Sequence, residues 1–380
     1  MNDKISVPFN HAAQSGNELN FIRAAMTTDK LSGGGAYTLK SELWLQQYLH
    51  AEAVFLVPSC TAALEFSALL LDIQPDDEII VPSFTFVSSA TAFVLFGAKI
   101  VYADVDPNYF SLNIESVERL INEKTKAIVC VDYAGFCNDL IEIRALADKY
   151  GICLVEDAAQ ALGSSIQNRR FGSLGHLATI SFHETKNVTS GGEGGALVIN
   201  DVRYIERAHV IRDKGTNRKR FIEGFVDKYS WVDKGSSYLM NEISAAYLYA
   251  QFESFQSIQY SRHRVWQQYK ENLSYLAYHE DVRLCSVPDG VEGNAHIFYV
   301  VTPKRPALLS YLRQHGIEAC FHYTPLHLSE AGMRYGQCKY PLPNAELAGA
   351  QLLRLPLSMW LSEEKVNFVC SRVIDFFRGS

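Results

Sequence analysis

Short, almost entirely apolar segments alternate with helix-like segments between residues 54 and 182, and this alternation restricts the possible folds more than any other feature of the sequence. Apolar strands without polar alternation are buried on both faces, which is typical of a mostly parallel sheet covered by helices. The chain therefore predicts a three-layer α/β fold, in which ligands bind beyond the carboxyl ends of the strands. Strands are predicted at 54–57, 78–81, 100–102, 127–131, 153–156 and 178–182, and helices at 61–71, 87–96 and 141–150.

The pattern changes near residue 250. A long helix is predicted over 242–276, followed by strands at 296–301 and 319–322 and helices at 306–315 and 364–377. A chain of 380 residues is long enough for two domains. We therefore expect a large domain over 1–250 and a smaller α+β domain over 251–380.

Composition narrows the classes of partner. The formal net charge is −7, and no run of five basic residues occurs, so neither nucleic acid nor an anionic membrane is expected as a partner. The first eight residues contain no apolar core of signal-peptide length, and no eighteen apolar residues run together. The eight cysteines include no C-x-x-C pair, which argues against a zinc ribbon and favours buried, reduced thiols. These features predict a soluble cytoplasmic protein without a metal site.

Lys186 lies after the predicted strand 178–182 and before Gly191-Gly-Glu-Gly-Gly195. Glycines allow a backbone to approach a flat ligand closely because they have no Cβ atom. A lysine in this position can bond to an aldehyde cofactor, although a lone lysine between a strand and a loop is more often a solvated charge. The accompanying residues must decide between these interpretations.

Two polar residues follow the buried strand 153–156. Asp157 can hold a protonated pyridine nitrogen, and Gln160 can donate to the phenolic oxygen of the same ring. The alternative for Asp157 is a helix cap or a surface carboxylate.

A second group of residues suggests an anion site and an aromatic contact. Cys60 and Thr61 begin a helix after the strand 54–57, where backbone N–H groups and a hydroxyl can bind phosphate, although an ordinary N-cap has the same sequence. Ser181 offers another hydroxyl. Phe84 and Phe86 follow the next strand, and Phe86 is the better candidate to stack on a ring, whereas core packing is the alternative for both.

Together these residues match the needs of pyridoxal 5'-phosphate: an anion site, a stacking ring, a carboxylate for the ring nitrogen and a lysine. A dinucleotide would need G-x-G-x-x-G after the first strand, and the glycine-rich stretches 33–35 and 191–195 do not fit that pattern. Gly33–Gly35 can be a flexible linker between two elements or a backbone segment that wraps around a ligand.

The order of these motifs resembles the DegT/DnrJ/EryC1/StrS sugar aminotransferases, which are fold-type I pyridoxal-phosphate enzymes. The resemblance covers essentially the whole chain. It is carried by Pro58–Leu64, Glu156–Gln160, Ser181–Lys186, Gly191–Gly195 and Phe321–His327.

The resemblance implies roles for individual residues. Lys186 would form the Schiff base, Asp157 would contact the ring nitrogen, Gln160 would lie near the ring oxygen, and Phe86 would stack on the ring. Cys60, Thr61 and Ser181 would bind the phosphate, and Ser237 would reach the phosphate site of a partner subunit in a homodimer with shared active sites. The sugar nucleotide would contact His322 and Tyr323, and Arg218 and Lys219 would meet its pyrophosphate unless they are solvated surface charges. His322 and His327 have no accompanying acid and a proline between them, so a metal site is not expected.

The resemblance also implies a reaction. L-Glutamate would convert the cofactor to pyridoxamine 5'-phosphate and leave as 2-oxoglutarate, and the amino group would pass to the 4-ketone of a dTDP-4-keto-6-deoxyhexose. Alternatives are the gluco epimer of the product, a 3-aminotransferase of a dTDP-3-keto sugar, the family's dehydratase branch, and a non-catalytic effector-binding protein. The dehydratases carry His at the lysine position, so Lys186 favours amino transfer.

Overall fold

Three β-sheets form the framework of the computed structural model, which describes residues 6–379. The predicted alternation of strands and helices between residues 54 and 182 is confirmed for almost every element. The strands are β1 Ala53–Val57, β2 Glu78–Pro82, β3 Lys99–Ala103, β4 Thr125–Val131, β5 Cys153–Asp157, β6 Ser165–Ile166, β7 Arg169–Arg170, β8 Leu177–Ser181, β9 Gly195–Ile199, β10 Arg283–Leu284, β11 Val291–Glu292, β12 Phe298–Val301, β13 Gly336–Gln337 and β14 Leu352–Leu355.

Helices cover the sheets and connect their strands. They are α1 Glu18–Met26, α2 Ala36–Leu49, α3 Cys60–Leu70, α4 Ser88–Val94, α5 Ile114–Glu118, α6 Leu140–Tyr150, α7 Ile205–Arg212, α8 Arg218–Ile222, α9 Glu242–Glu253, α10 Phe255–Leu273, α11 Arg305–Gln314, α12 Glu330–Tyr335, α13 Pro343–Gln351 and α14 Glu363–Arg378.

The large sheet has the strand order β1-β9-β8-β5-β4-β2-β3-β13. Neighbouring strands are parallel except at β9, which runs antiparallel to both β1 and β8. The carboxyl ends of β1, β2, β4, β5 and β8 therefore meet at one edge, and the start of β9 joins them there. Cys60 and Thr61 follow the end of β1, Phe86 follows β2, Asp157 ends β5 with Gln160 beyond it, and Lys186 follows β8.

Both faces of the large sheet are buried. Phe55 and Val57 of β1 pack in the core that contains α3, α4 and α7, whereas Val54 and Leu56 pack in the core that contains α1, α2, α6 and α9. Burying each such side chain stabilises the fold by roughly 1.5–3 kcal/mol. This arrangement confirms the predicted three-layer, mostly parallel α/β fold.

Several details differ from the predictions, and β14 is among the other elements that were not predicted. Strand β9 was not predicted, because a short run that starts with glycine directly after a glycine-rich loop resembles a continuation of that loop. The strand predicted at 319–322 is wrong, since only an isolated bridge between Cys320 and Arg354 forms there. The helix predicted over 242–276 is divided at Ser254 into α9 and α10.

The last third of the chain forms a small antiparallel sheet, β10-β12-β14, on which α11 and α14 pack. Strand β13, which also lies in the last third of the chain, does not join the small sheet but pairs with β3 of the large sheet. The division into 1–250 and 251–380 stays a prediction.

Gly33–Gly35 have a structural explanation. A Cβ atom on Gly35 would lie 2.5 Å from Cδ of Glu242, and the Glu242 carboxylate accepts hydrogen bonds from the backbone N–H groups of Gly35, Tyr37 and Thr38. The carboxylate thereby caps the start of α2, where helical N–H groups have no partner. Within this chain, Gly33 and Gly35 let the two segments approach each other, and Gly34 adopts a positive φ of 78°.

The cysteines only partly match the prediction. All eight are free thiols, but Cys338 is exposed and Cys60 and Cys320 are half-buried. Within residues 6–379, no helix combines the length and apolar character that crossing a membrane requires. The prediction that the chain begins without a signal peptide rests largely on residues 1–5, which lie outside the described residues.

Candidate active site

A cavity of about 540 Å³ lies at the edge of the large sheet where the strand ends meet. It brings together nine of the twelve site residues predicted from the sequence: Cys60, Thr61, Phe86, Asp157, Gln160, Ser181, Lys186, His322 and Tyr323. A larger cavity of about 710 Å³ runs beside α10, but neither Lys186 nor Asp157 lines it. The chemistry therefore selects the smaller cavity as the candidate site.

The first turn of α3 provides hydrogen-bond donors on one wall. Ser59 caps the helix by accepting a hydrogen bond from the Ala62 N–H at 3.1 Å, which leaves the N–H groups of Cys60 and Thr61 without helical acceptors. The Thr61 hydroxyl lies 2.7 Å from the hydroxyl of Ser88 at the start of α4. A Cβ on Gly195 would lie only 2.5 Å from the Cys60 nitrogen, so glycine at the start of β9 permits this close packing. The wall can bind a phosphate through N–H and O–H donors.

Lys186 follows β8 in a short turn, where its backbone N–H donates to the His183 carbonyl at 2.9 Å. Its side chain lines the cavity, and its Nζ forms no ion pair with any described residue. Burial lowers the pKa of Lys186, and the positive charge of Arg354 acts in the same direction, while Asp157 opposes the shift. A larger fraction of neutral amine, which is the nucleophilic form, is therefore available than for a solvated lysine.

Asp157 ends β5 and is only 5% exposed. Its carboxylate accepts hydrogen bonds from the Ser89 hydroxyl at 2.7 Å and from the Ala159 N–H at 3.3 Å. Burial raises its pKa, and the two donors and Lys186 oppose this shift. Such a fixed, buried carboxylate can pair with a protonated ring nitrogen, and it is shielded from solvent.

A second pair of buried acids lies behind Asp157. Glu156 accepts hydrogen bonds from the backbone N–H groups of Gly172, Leu174 and Gly175, whereas neither oxygen of the fully buried Asp132 accepts a hydrogen bond. Burial and the neighbouring Glu156 charge raise the pKa of Asp132. Burial also raises the pKa of Glu156, but three backbone donors oppose that shift, so a proton shared by the two acids favours Asp132, from which it can be donated to Glu156.

Replacing Asp132 with asparagine should make stability less dependent on pH. The pKa of Asp132 is raised in the folded protein and returns to its ordinary value of about 4 on unfolding, so wild-type stability falls as pH rises from that value towards the folded-state pKa. An asparagine amide can still donate to Glu156 and does not ionise. Urea unfolding at several pH values measures the free energy of unfolding of both proteins. We expect this free energy to increase in the variant relative to the wild type as pH rises, and parallel curves would contradict the assignment.

The opposite wall is aromatic. Gln160 is held by the Ala134 N–H at 2.9 Å and donates through Nε2 to the Tyr323 hydroxyl at 2.9 Å, which leaves it a second N–H for a ligand. His322 stacks on Tyr323 with ring centroids 3.6 Å apart. Phe84 is buried, but Phe86 is 56% exposed and lines the cavity, so Phe86 is the ring available for stacking.

The cavity residues that were not predicted from the sequence include Phe9, Arg262, His296 and Arg354. Arg262 donates to the carbonyls of Ala295 and His296, and burial lowers its pKa to about 9. These residues carry no local motif, because a helix, a small-sheet strand and the N-terminal segment bring them to the cavity from distant positions.

Three predicted residues lie outside the cavity of this chain. Ser237 forms an isolated bridge with Asp213, Arg218 pairs with Asp213 at 3.3 Å, and Lys219 lies 3.8 Å from Glu223. Their predicted contacts with a partner subunit or a pyrophosphate stay predictions. Among the described residues, no cluster of three His, Cys, Asp or Glu side chains could hold a metal ion.

The donor set fits pyridoxal 5'-phosphate. The α3 turn with Thr61 and Ser181 would bind the phosphate, and Asp157 would contact the ring nitrogen. Phe86 would stack on the ring face, and Lys186 would bond to the reactive carbon. The fit rests on one observation, a buried acid and an unpaired lysine in the same cavity as an open helix N-terminus.

Comparison with known proteins agrees with this geometry. Residues 13–374 match the family model described as the DegT/DnrJ/EryC1/StrS aminotransferase family. The chain is 32% identical over 352 residues to a protein of Geobacillus stearothermophilus called pleiotropic regulatory protein, covering 90% of each. It is also 32% identical to the UDP-N-acetyl-3-dehydro-alpha-D-glucosamine 3-aminotransferase of Acidithiobacillus ferrooxidans, covering 84% of this chain and 83% of the relative.

Among solved structures, the aminotransferase TlmJ of Streptoalloteichus hindustanus superposes with a TM-score of 0.89 at 28% identity, covering 98% of this chain and 99% of TlmJ. The fold-type I prediction is confirmed by this similarity. The chain therefore belongs to the DegT/DnrJ/EryC1/StrS aminotransferase family, and it is a pyridoxal-phosphate-dependent aminotransferase.

Proposed function

We propose that this enzyme transfers the amino group of L-glutamate to C4 of dTDP-4-dehydro-6-deoxy-D-glucose. The products are 2-oxoglutarate and dTDP-4-amino-4,6-dideoxy-D-galactose, so the enzyme would be a dTDP-4-amino-4,6-dideoxygalactose transaminase. The amino sugar would serve surface polysaccharides such as the O-antigen of lipopolysaccharide, and we expect the enzyme in the cytoplasm.

The juxtaposition of Lys186 and Asp157 in one cavity carries the proposal of amino transfer. The choice of C4 and of the galacto product is supported by three stretches that resemble dTDP-4-amino-4,6-dideoxygalactose transaminases. They are Pro82–Ser88, Lys214–Arg218 and Val226–Met240. The sugar class is supported by the relative that acts, by its name, on a keto derivative of a nucleotide-linked glucosamine.

Bound pyridoxal 5'-phosphate supplies an electron sink that makes the proton on the amine-bearing carbon removable. Lys186 Nζ takes that proton from Cα of L-glutamate and, in the second half of the cycle, delivers a proton to C4 of the sugar. Its lowered pKa supports both roles, because a larger fraction of the amine is neutral and able to accept a proton than in a solvated lysine. Asp157 keeps negative charge against the ring nitrogen throughout.

The aromatic wall orients the sugar. Tyr323 is fixed by Gln160, and the His322 Nδ1 lies 2.8 Å from the Tyr133 hydroxyl, so both rings hold one position. Burial and the charges of Arg354 and Lys186 hold the pKa of His322 far below its ordinary value, so this imidazole is neutral. A neutral, ordered His–Tyr pair can contact sugar hydroxyls, with Arg218 and Lys219 meeting the pyrophosphate.

We propose a homodimer with shared active sites. The segment that contains Arg218 and Ser237 also exposes Ile222, Phe225 and Trp231, which are 70%, 69% and 81% exposed in the single chain. Apolar side chains exposed in one segment mark a surface for association. Ser237 would then approach the phosphate site of the partner subunit.

An assay with purified holoenzyme tests the function. L-Glutamate and dTDP-4-dehydro-6-deoxy-D-glucose should yield equal amounts of 2-oxoglutarate and amino sugar, and NMR of the product should show an axial 4-amino group. An equatorial amino group would identify the gluco epimer, and no 2-oxoglutarate would exclude this substrate.

One comparison favours a second candidate. The relative named as a 3-aminotransferase acts, by its name, on a UDP-linked 3-keto sugar, which supports C3 as the alternative position of amino transfer, as in a dTDP-3-keto sugar. The same assay with a 3-keto sugar separates the two positions, because only the correct ketone sustains more than one turnover of L-glutamate per active site.

A further inference from the structure

A buried hydrogen-bond network surrounds Asn187, the residue that follows Lys186. Nδ1 of His296, a side chain that is only 8% exposed, lies 2.9 Å from the Asn187 Oδ1. The nitrogen of the same Asn187 amide donates to the Asn294 carbonyl at 2.9 Å and to the Gln259 side chain at 3.4 Å. The neighbour of the reactive lysine is therefore held at both ends of its side chain by residues from a distant part of the sequence.

These contacts determine which imidazole nitrogen carries the proton. A backbone carbonyl only accepts hydrogen bonds, so the Asn187 nitrogen must face Asn294, and the Asn187 oxygen must face His296. Nδ1 of His296 is therefore the donor. Burial and the positive charges of Lys186 and Arg262 hold the pKa of His296 far below its ordinary value, so the ring is neutral and Nε2 carries no proton.

The turn that presents His296 is energetically costly. Ala295 has a φ of 53°, in the left-handed region that residues with a Cβ atom rarely adopt. Arg262 is 3% exposed, forms no ion pair with any described residue, and donates to the carbonyls of Ala295 and His296 at 3.3 and 2.7 Å. A strained backbone and a buried cation without an anion both cost free energy, and strain of this kind clusters at active sites.

The same turn also reaches the glutamine that lines the aromatic wall. Asn294 donates to the Gln160 carbonyl at 2.8 Å, and its Oδ1 accepts a hydrogen bond from the His296 N–H at 3.1 Å. Gly135 has a φ of 108°, and a Cβ atom there would collide with the Asn294 Oδ1, so glycine permits this approach. The turn therefore connects the segment of Lys186 with that of Gln160.

We propose that His296 is a positioning residue for amino transfer, which acts through Asn187 to hold Lys186 Nζ where it can move a proton. This role requires a contact with the neighbour of the lysine and none with a ligand. It rests on the proposed role of Lys186 and is independent of which sugar accepts the amino group.

NMR of isotope-labelled histidines tests the hydrogen bond without any reaction, in the cofactor-free and the cofactor-bound protein. The His296 signals are identified by their loss in His296→Asn. Near neutral pH they should show a protonated Nδ1 and an unprotonated Nε2. A proton on Nε2, or a charged ring, would overturn the inference.

The donor half-reaction of the holoenzyme tests the effect on Lys186. L-Glutamate with hydrogen or deuterium at Cα is added under single-turnover conditions. His296→Leu removes the Nδ1 donor, and it is expected to lower the limiting rate roughly 100-fold, because a small misplacement of a reacting group slows its step strongly. The apparent Kd of L-glutamate should stay unchanged, and the isotope effect should increase because proton transfer becomes more strongly rate-limiting.

The conservative variant should reverse both effects. The asparagine of His296→Asn can place an amide N–H where Nδ1 lies, so it should restore most of the rate and the wild-type isotope effect. Asn187→Ser removes the acceptor of the same hydrogen bond and carries the test if His296→Leu does not fold. In the double variant, Asn187→Ser with His296→Leu, the rate should fall no further than in either single variant, because both changes break one contact.

A matched control separates positioning from general destabilisation. His176 is another buried histidine, which lies directly before β8, accepts a hydrogen bond from the Leu154 N–H at 2.9 Å and contacts Asp148 at 2.9 Å. It does not line the cavity of Lys186. His176→Leu should lower the free energy of unfolding but leave the isotope effect unchanged.

The outcomes separate this inference from the proposed sugar substrate. An unchanged rate and isotope effect in His296→Leu, an equal loss in His296→Asn, or additive losses in the double variant would overturn the inference. A wild type that reacts with L-glutamate but not with dTDP-4-dehydro-6-deoxy-D-glucose would overturn the proposed sugar substrate and leave the role of His296 intact.

Discussion

Replacing Lys186 with alanine is expected to reduce 2-oxoglutarate formation by at least about 10⁴-fold, since both the covalent attachment and the proton transfer depend on its Nζ. Lys186 Nζ forms no ion pair with any described residue, so its loss removes a reactive group and leaves no described carboxylate without a salt-bridge partner. The fold should therefore survive the substitution.

The measurement combines activity with cofactor spectroscopy. The variant should still bind pyridoxal 5'-phosphate through the phosphate wall, but without the absorbance that a lysine-bound cofactor gives. Lys149→Ala is a matched control, because Lys149 is an exposed residue of α6 far from the described cavity lining. An active Lys186→Ala enzyme would refute the catalytic assignment.

Replacing Asp157 with asparagine is expected to lower the rate by about 10²- to 10³-fold, the usual effect of removing one preorganised electrostatic group. The asparagine has the same shape and can still accept a hydrogen bond from Ser89, so the loss reports the missing charge. Because the Asp157 charge raises the pKa of Lys186, the variant should also show a lower pKa for that amine.

The pH profile of the donor half-reaction checks both effects. Its acid-side pKa, which reports the amine that takes the Cα proton, should move down in Asp157→Asn, while cofactor occupancy remains near that of the wild type. Ser89→Ala removes a donor but keeps the carboxylate, and it should reduce the rate much less. A wild-type rate in Asp157→Asn would show that this carboxylate does not assist the reaction.

Much of the site could be predicted because its residues follow strand ends. In a parallel sheet the carboxyl ends of adjacent strands share an edge, so residues after β1, β5 and β8 must approach one another whatever their distance along the chain. Thr61, Asp157 and Lys186 each have a local signal of this kind. Their convergence follows from the alternation of apolar strands and helices.

Other features depend on contacts that have no local pattern. The orientation of β9 depends on its pairing with β1 and β8, and its start at Gly195 contacts the turn of Cys60. Glu242 caps a helix that begins at Ala36, and the pKa of Asp132 is raised because folding buries it beside Glu156. None of these roles is visible in the residues next to each position.

By itself the sequence determined the layered α/β architecture and the three chemical groups at the sheet edge, because hydrophobic periodicity and strand-end placement are local properties. Only the tertiary structure decided that Arg354 faces the same cavity with an unused N–H. That outcome depends on Phe9, Cys320 and Phe321, which meet Arg354 through a small-sheet strand and the N-terminal segment, and long-range packing of this kind leaves no periodic signature in the chain.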